Sequence, residues 1–406
     1  MKKEMKILIW VLPACLLCIL AFFLLHKVSH TDDSTKDHVN VGLILEGDES
    51  TPYSNNFIRA TDELKLHFGE RVSVIPMYNV AFEDTLDAID KLCSDGCDII
   101  FFNSVEYGEP AKYASTIYPD VEFCQTACDN ANEDPYRPNY HTFMGRIYEG
   151  RYVAGRVAGL KLTELINEGV IKPEEALIGY VGAFPFNEVI SGYTAFFLGV
   201  REECPSATMR VKYANTWTSY MLEKNLAKEL IDEGCIVISQ HSDTVGPAVM
   251  CETSEVTHPV FHVGYNQDMI DVAPRTSLIG TRIDWSIYII SAVEAVLENK
   301  HIESHVSAHI YGNDSCAGFE EGWVKMLDVN PAVAPQGTQE LIADTIEQIK
   351  SGSIHVFKGD YLGVNPDDPE DTWDLNTEYI ENEKSSAPTF HYILKDVITI
   401  EDSVSK

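Results

Sequence analysis

Residues 178–188 read Ile-Gly-Tyr-Val-Gly-Ala-Phe-Pro-Phe-Asn-Glu, and an apolar helical pattern follows them as far as Glu203. Ile178–Val181 is a short apolar run that ends at a glycine, as a buried parallel strand does where it turns into a loop. Met209–Tyr213 predicts the next strand, and Asn215, Thr216 and Trp217 follow its end. This stretch is therefore a βαβ unit. In open α/β sheets, ligands bind outside the carboxyl ends of the strands.

The same alternation of strand and helix continues on both sides of this unit. Strand patterns precede it at 39–45, 72–77, 98–102, 121–124 and 141–144, and they follow it at 236–240, 260–264 and 278–280. Strands that alternate with helices predict a parallel, doubly wound sheet. A chain of 406 residues is long enough for two such units. The fold class expected from the pattern is therefore α/β, with two Rossmann-like lobes.

The chain is strongly acidic, with 63 Asp and Glu residues against 30 Lys and Arg and a net charge of −33. Such a surface repels nucleic acid and anionic lipid. Nucleic acid is therefore excluded as a partner, and the charge is typical of a well-solvated domain.

The N-terminus carries a membrane signal. Lys2, Lys3 and Lys6 precede an uncharged apolar run at 7–25, which is nearly long enough to span a bilayer. Residues 1–30 are predicted to be a membrane anchor or signal segment, and 31–38 a polar tether. Leu12-Pro-Ala-Cys15 loosely resembles a lipoprotein cleavage box, so a lipid anchor or a cleaved signal remains an alternative. The apolar run continues past Cys15, which favours an uncleaved anchor. The lysines place the following domain outside the cytoplasm.

Eight cysteines lie beyond the anchor: Cys93, Cys97, Cys124, Cys128, Cys204, Cys235, Cys251 and Cys316. Outside the cell they are expected to form disulfides or, in an anaerobe, to remain buried thiols. Two Cys-x3-Cys pairs are present, but they lack a matching His or Cys pair at metal-ligand spacing. No metal and no cofactor is predicted.

Several segments, taken together, resemble one known family. They are Val41–Leu45 with the loop 48–55, Gly96–Phe102, Tyr118-Pro-Asp-Val-Glu-Phe123, Glu149–Gly159, Ile178–Gly182, Gly264-Tyr-Asn-Gln-Asp268 and Lys350–Gly359. The chain resembles the basic membrane protein family of ABC-transporter solute-binding proteins, which includes purine nucleoside receptors. The likeness runs in register across residues 39–365.

This resemblance implies a type I periplasmic-binding-protein fold, in which two lobes joined by a hinge close on a small ligand. By that pattern, 39–142 with 283–308 form lobe one, 143–282 with 309–365 form lobe two, and 366–406 form a C-terminal extension. The implied partners are a purine-like ligand and an ABC permease. The implied location is the cell membrane, with the binding domain extracytoplasmic.

On lobe one, the resemblance places Tyr53, Ser54 and Asn55 in the first ligand loop, where Tyr53 can stack on a base. This loop departs from the family's Asp-x-Ser-Phe-Asn pattern. Asn103, Ser104 and Tyr107 follow the strand pattern 98–102 and are expected to line the same side. Trp285 lies at the predicted return crossover, where it either lines the cleft or braces the hinge.

On lobe two, Trp217 offers an aromatic plane at the end of a strand, and Phe184 lies in the preceding loop. His241, Ser242 and Asp243 follow the strand pattern 236–240 and can read the edge of a base. Ser242 or Asp243 can instead cap the following helix. Asn266 and Asp268 follow 260–264. The family uses a carboxylate at the first of these positions, so nucleobase and nucleoside both remain open.

Two other classes of function are an enzyme and a sensing ectodomain. His241, Ser242, Asp243 and Asp268 contain the residue types of acid–base and nucleophilic catalysis, but the chain has no Gly-x-Ser-x-Gly, phosphate-loop or His-Glu-x-x-His motif. An enzyme is therefore not predicted. The alternatives that stay open are the ligand-sensing ectodomain of a signalling system and the binding of a non-purine small polar solute.

Overall fold

The computed structural model describes residues 35–401 of the chain. The predicted anchor or signal segment (1–30) lies outside the described residues. Within 35–401, the structure contains no helix that is both long enough and apolar enough to cross a membrane.

Strands and helices alternate through most of the chain. The strands are β1 (Val39–Ile44), β2 (Val72–Met77), β3 (Ile99–Phe102), β4 (Glu122–Thr126), β5 (Tyr140–Gly145), β6 (Leu177–Gly182), β7 (Thr208–Tyr213), β8 (Val237–His241), β9 (Phe261–Tyr265), β10 (Ser277–Ile283), β11 (His309–Tyr311), β12 (Asp314–Ala317), β13 (Val324–Met326), β14 (Leu362–Val364), β15 (Thr372–Asp374), β16 (Ile393–Leu394) and β17 (Ile398–Glu401). The α-helices are α1 (Pro52–Phe68), α2 (Thr85–Ser94), α3 (Gly108–Ile117), α4 (Ile147–Asn167), α5 (Asn187–Glu203), α6 (Tyr220–Asp232), α7 (Gly246–Thr253), α8 (Trp285–Leu297) and α9 (Thr338–Lys350). Short 3-10 turns include Val105–Tyr107 and Ile302–Ser304.

Lobe one is built on a sheet with the strand order β11-β12-β5-β4-β3-β1-β2. Its strands run parallel except for the edge strand β11, which is antiparallel to β12. One face of the sheet buries an apolar cluster in which Phe57 of α1 stacks on Trp285 of α8. The other face buries residues of α2 and α3. Both faces are covered, which explains why a strand such as β3 is a continuous apolar run.

Lobe two is built on a second sheet, with the order β13-β10-β9-β8-β6-β7-β17. Arg151 of α4 is fully buried against it, and its guanidinium donates to Gly264 O (3.0 Å), the Tyr180 hydroxyl (3.1 Å) and Ser239 Oγ (2.6 Å). This one side chain therefore ties α4 to the three central strands β6, β8 and β9.

The two sheets, each with helices packed against it, confirm the predicted two-lobe α/β fold.

Helices α4 and α5 approach each other unusually closely in lobe two. A Cβ added at Gly155 would lie 1.9 Å from the carbonyl oxygen of Phe196, and one at Gly199 would lie 2.1 Å from that of Tyr152. Real Cβ atoms do not come so near to backbone. Glycine is therefore required at both positions of this interface.

The chain crosses between the lobes at three places, after β5, after β10 and after β12. Hydrogen bonds tie these crossings together, from Arg146 N to Ala317 O and from Asp284 N to Trp323 O, both at 2.7 Å. The buried Glu149 carboxylate accepts from Phe319 N at 2.8 Å. The three crossings therefore form one connected hinge.

The boundaries of the lobes differ from those expected from the sequence. Residues 309–365 were expected in lobe two, but β11 and β12 pair with β5 in the sheet of lobe one. Strand β5 also carries lobe one beyond the expected boundary at 142, to Gly145. After β10 the chain stays in lobe one through α8, β11 and β12, because β12 pairs with β5 there, and it returns to lobe two only at β13.

The C-terminal extension belongs to lobe two. It contains β16, which joins a three-stranded sheet with β14 and β15, and β17, which lies parallel to β7. Glu381 anchors the segment by accepting from Ser191 Oγ (2.8 Å) and from Phe390 N (3.0 Å). The amide of Ser386 donates to Asp314 of lobe one at 2.7 Å. The extension therefore contacts both lobes.

All eight cysteines within residues 35–401 are free thiols, and every one except Cys93 is buried. Of the two states expected from the sequence, this structure contains the thiol. The same residues include no group of three or more His, Cys, Asp or Glu side chains that could hold a metal ion.

A substitution at the α4–α5 interface tests this packing. In Gly155→Ala the new methyl group would meet the Phe196 carbonyl, and forcing the helices apart should cost about 1–3 kcal/mol of unfolding free energy. Urea denaturation measures this loss. Asn167→Ala, at the exposed end of the same helix, should change stability by less than about 0.5 kcal/mol. Equal stability of Gly155→Ala and wild type would contradict the proposed contact.

The stability of lobe one should also depend on pH through His141. Its ring is fully buried between Glu303 Oε1 (2.5 Å from Nδ1) and Glu122 Oε2 (2.9 Å from Nε2). Burial alone would lower the pKa of His141, but the two carboxylates outweigh it and raise the pKa from 6.5 to about 9. The charged imidazolium therefore stabilises the fold below pH 6.5, and that contribution is lost as the pH rises through 9.

The expected loss between pH 6.5 and 9.5 is about 3 kcal/mol, measured as the free energy of unfolding in urea. His141→Asn should remove this part of the pH dependence. His258→Asn should keep it, because His258 contacts backbone carbonyls and no carboxylate. A wild-type slope that survives in His141→Asn would assign the effect to other groups.

Candidate ligand-binding cleft

A cavity lies between the two lobes. Both lobes contribute side chains from the carboxyl ends of their strands or from the helices that follow. The lining residues are Glu46, Tyr53, Asn103, Ser104, Val105 and Ala127 from lobe one, and Glu188, Trp217, Asp243 and Tyr265 from lobe two. The strand order reverses next to β1 in one sheet and next to β6 in the other. The cavity thus lies where open α/β sheets bind ligands.

On lobe one, the polar wall is formed by the segments after β1 and β3. Asn103 is buried, and its side chain accepts from Glu46 N (3.0 Å) and donates to Ser54 Oγ (3.1 Å). Ser104 Oγ donates to Glu106 at 2.6 Å. Asn103 therefore holds the loop after β1 in place, with Glu46 at the rim of the cavity.

Tyr53 supplies the aromatic surface of lobe one. It lies in the first turn of α1, whereas the sequence had placed it in a loop, because the helix already begins at Pro52. Its ring packs edge-on against Phe57 (5.5 Å) and Trp285 (6.2 Å). Trp285 is only 1% exposed and does not line the cavity. It braces Tyr53 from behind.

Trp217 supplies the aromatic surface of lobe two, directly after β7. It is half-buried and contacts the rings of Phe184 (5.6 Å) and Phe186 (6.2 Å), and its carbonyl accepts from Asp243 N at 3.0 Å. Its indole N–H is buried and has no hydrogen-bond partner among the described residues. The described part of the protein therefore leaves this donor unused.

Asp243 is the most deeply buried acid of the cavity, at 6% exposure. Within residues 35–401 its carboxylate has no hydrogen-bond partner. Burial raises its pKa well above the usual value, and the nearby Glu223, Glu46 and Glu188 raise it further. Glu223 itself is engaged behind the wall, where it accepts from Ser242 Oγ (2.7 Å) and Thr244 N (3.1 Å).

Glu188 lies in the first turn of α5, beside a buried histidine. His241 Nε2 is 3.4 Å from Glu188 Oε1, and the His241 ring lies 4.2 Å from Tyr265. Burial lowers the pKa of His241, although Glu188 opposes this shift. His241 is therefore neutral at pH 7. It positions Glu188 and Tyr265 and does not itself line the cavity.

Five residues predicted from the sequence meet in the cavity: Tyr53, Asn103, Ser104, Trp217 and Asp243. Phe184, His241 and Trp285 support lining residues from behind, and Ser54 holds Asn103. Tyr107 is turned away, and its hydroxyl donates to Val80 O at 2.6 Å.

Four further predicted residues do not line the cavity. Ser242 is bonded to Glu223, and Asn55 N is bonded to Thr51 O at 2.8 Å within the first turn of α1. Asn266 is buried at a contact between the lobes, where its carbonyl accepts from Asn56 Nδ2 at 2.9 Å. Asp268 is exposed and accepts from Ile270 N at 2.9 Å.

Five lining residues were not singled out from the sequence: Glu46, Val105, Ala127, Glu188 and Tyr265. Most of them share the feature that identified Trp217, which is a position at or shortly after the carboxyl end of a strand. Glu46, Ala127 and Tyr265 each end or directly follow a strand. Glu188 could have been found as the acidic residue at the start of the helix after β6.

All the ionisable side chains of Asp, Glu, Lys, Arg and His type that line the cavity are acidic. Its lining has three carboxylates, Glu46, Glu188 and Asp243, and no Lys, Arg or His among the described residues. Burial raises the pKa of Glu46, with a further contribution from Glu106, while a hydrogen bond from Ser104 opposes the shift. The cavity can therefore accept several hydrogen bonds from a ligand and can present aromatic rings from both lobes.

Proteins of two other organisms are similar in sequence to this chain. A purine-binding protein of Brucella abortus is 29% identical over 345 residues, covering 84% of this chain and 87% of that protein. A protein of Haloferax volcanii, named for ABC-transporter glucose binding, is 32% identical over 280 residues, covering 69% of this chain and 64% of that protein.

Among solved structures, a solute-binding protein of an ABC transporter system from Aeropyrum pernix superposes with a TM-score of 0.62 at 15% identity, covering 78% of this chain and 92% of that one. This likeness supports the two-lobe fold.

The family model described as ABC transporter substrate-binding protein, PnrA-like, matches residues 49–356. The match spans most of the chain and includes both walls of the cavity apart from Glu46. This chain belongs to the PnrA-like family of ABC transporter substrate-binding proteins.

Proposed function

We propose that this protein captures a purine nucleobase or nucleoside outside the cytoplasm and delivers it to an ABC permease. The observation that carries the proposal is the cavity between the lobes, with Tyr53 on one wall and Trp217 and Tyr265 on the other. A flat heterocycle can stack on such rings, and stacking of a base on an aromatic side chain is worth about 1–3 kcal/mol.

The polar groups of the cavity support the same ligand. Asp243 and Glu188 offer carboxylate oxygens that accept from the ring and exocyclic N–H groups of a purine. The indole N–H of Trp217 has no partner in the protein and can donate to a ring nitrogen or a carbonyl. The name of the Brucella abortus relative agrees with this chemistry.

Delivery to a permease requires a difference between the open and closed forms. The hinge of three short crossings allows the lobes to rotate as rigid bodies, and the ligand favours the closed form because it contacts both walls. The anchor predicted at 1–30 would keep the protein beside its permease at the membrane.

A second candidate is a sugar, because carboxylates also accept from hydroxyl groups and the Haloferax volcanii relative is named for glucose. Three aromatic residues among the ten that line the cavity favour the flat heterocycle. The two candidates differ in what they predict for a ligand screen.

Thermal unfolding of the full-length protein in detergent should be shifted upward by adenine, guanine, adenosine or guanosine, since a ligand that binds only the folded state stabilises it. Glucose, arabinose and amino acids should give no shift. Stabilisation by glucose without stabilisation by any purine would refute the purine assignment.

Trp217→Ala should weaken binding of the stabilising purine by about tenfold or more, because the stacking surface is lost. Calorimetric titration measures the affinity. Trp217→Phe keeps an aromatic plane and should bind more tightly than Trp217→Ala, and Trp373→Ala, which lies in the extension away from the cavity, should bind like wild type. An unchanged affinity in Trp217→Ala would remove this residue from the binding site.

A binding protein should release its ligand unaltered. Mass spectrometry of the purine recovered after long incubation should show the starting compound alone. A new product that appears in proportion to protein concentration would instead indicate an enzyme.

A further inference from the structure

We propose that the cleft selects its occupant by charge and takes a flat purine-type ring that carries a positive charge in preference to the neutral ring. This inference rests on the proposed function, since it concerns the same cavity. It goes further by naming the charge of the ligand.

The first support is the state of Asp243. Asp243 is only 6% exposed and lines the cavity. Its carboxylate accepts no hydrogen bond from the described part of the chain. A buried carboxylate without a partner is costly. Burial raises the pKa of Asp243, so the empty cleft favours the protonated acid, and a cationic ligand is the partner that would stabilise the charged carboxylate.

The second support is the absence of any compensating cation on the lining. Glu46 and Glu188 face the same space as Asp243, and the described lining contains no basic side chain. The buried Arg151 is occupied by Gly264, Tyr180 and Ser239. The nearby His241 is neutral at pH 7, because burial lowers its pKa. The protein thus supplies no basic side chain to the cavity, and in the empty cleft only proton uptake by the acids themselves reduces its negative charge.

The third support is the aromatic surface. Tyr53, Trp217 and Tyr265 surround the space that the carboxylates face. The faces of aromatic rings attract cations, most strongly when water is excluded. A cavity that combines such rings with acidic groups suits a delocalised cation better than a neutral ring of the same shape. It should reject an anion.

The test compares purines of nearly equal shape and different charge at pH 6.5. Adenosine is neutral, 1-methyladenosine is a cation and adenosine monophosphate is an anion. Guanosine and 7-methylguanosine form a second neutral and cationic pair, so that a clash of one methyl group cannot decide the result. Affinities for the full-length protein in detergent are measured by calorimetric titration.

We expect at least one cation to bind about tenfold or more tightly than its neutral partner, with the monophosphate weakest. Asp243→Asn keeps the shape of the side chain and removes its charge, so it should lower the ratio of cation to neutral affinity to below about threefold. Glu188→Gln should lower the same ratio independently. Asp271→Asn, an exposed acid of lobe two outside the cavity, should leave the ratio as in wild type.

The outcomes separate this inference from the proposed function. If purines bind and the neutral member is equal or tighter in both pairs, the charge selectivity is refuted while the purine assignment stands. If the cation preference remains in both Asp243→Asn and Glu188→Gln, the assigned residues are wrong. If no purine binds and glucose does, both proposals fail.

Discussion

The parallel arrangement of the strands is the constraint on which the molecule depends. Parallel strands all end at the same edge of their sheet, so each lobe collects its helix-connecting segments at one side. In this protein those two edges face each other across the cavity. Every lining residue accordingly lies at a strand end or in the connection or helix that follows it. Function is confined to short segments while the apolar strands remain free to build the two cores.

The hinge places a second constraint on the cleft. Its three crossings are hydrogen-bonded to one another, and Gly318 lies so close to Glu149 that a Cβ there would be 2.1 Å from a carboxylate oxygen. Burial raises the pKa of Glu149 to about 7. The crossings are therefore tightly packed, so the lobe rotation proposed above would concentrate in a few backbone torsions. The two sheets would keep the geometry of each wall during that rotation.

Much of the fold could be predicted from the sequence, because apolar runs of strand length alternate with amphipathic helices. The same strand-end rule identified Trp217, Asn103, Ser104 and Asp243. It did not separate residues that face the cavity from neighbours that face the core, since the direction of a side chain depends on the local backbone. Ser242 and Asp243 are adjacent, yet one is bonded to Glu223 and the other lines the cavity.

Long-range pairing was harder to predict. Strand β12 joins lobe one through a partner, β5, that lies far away in the sequence, and no local pattern records that choice. The role of Trp285 depends in the same way on the arrival of α8 beside Phe57. Asn266 has a positive φ of 62° and contacts Asn56 of the other lobe, so in this structure it joins the two lobes and does not line the cavity.

The C-terminal extension has a consequence for any shortened version of this protein. The family match ends at residue 356, but β17 pairs with β7, and Phe357, Leu375 and Phe390 complete the apolar cluster beneath α5. A protein cut at the family boundary would expose the edge of strand β7 and the apolar surface that the extension now covers. Exposed strand edges recruit other chains. Recombinant fragments designed from the family boundary alone would therefore be prone to aggregation.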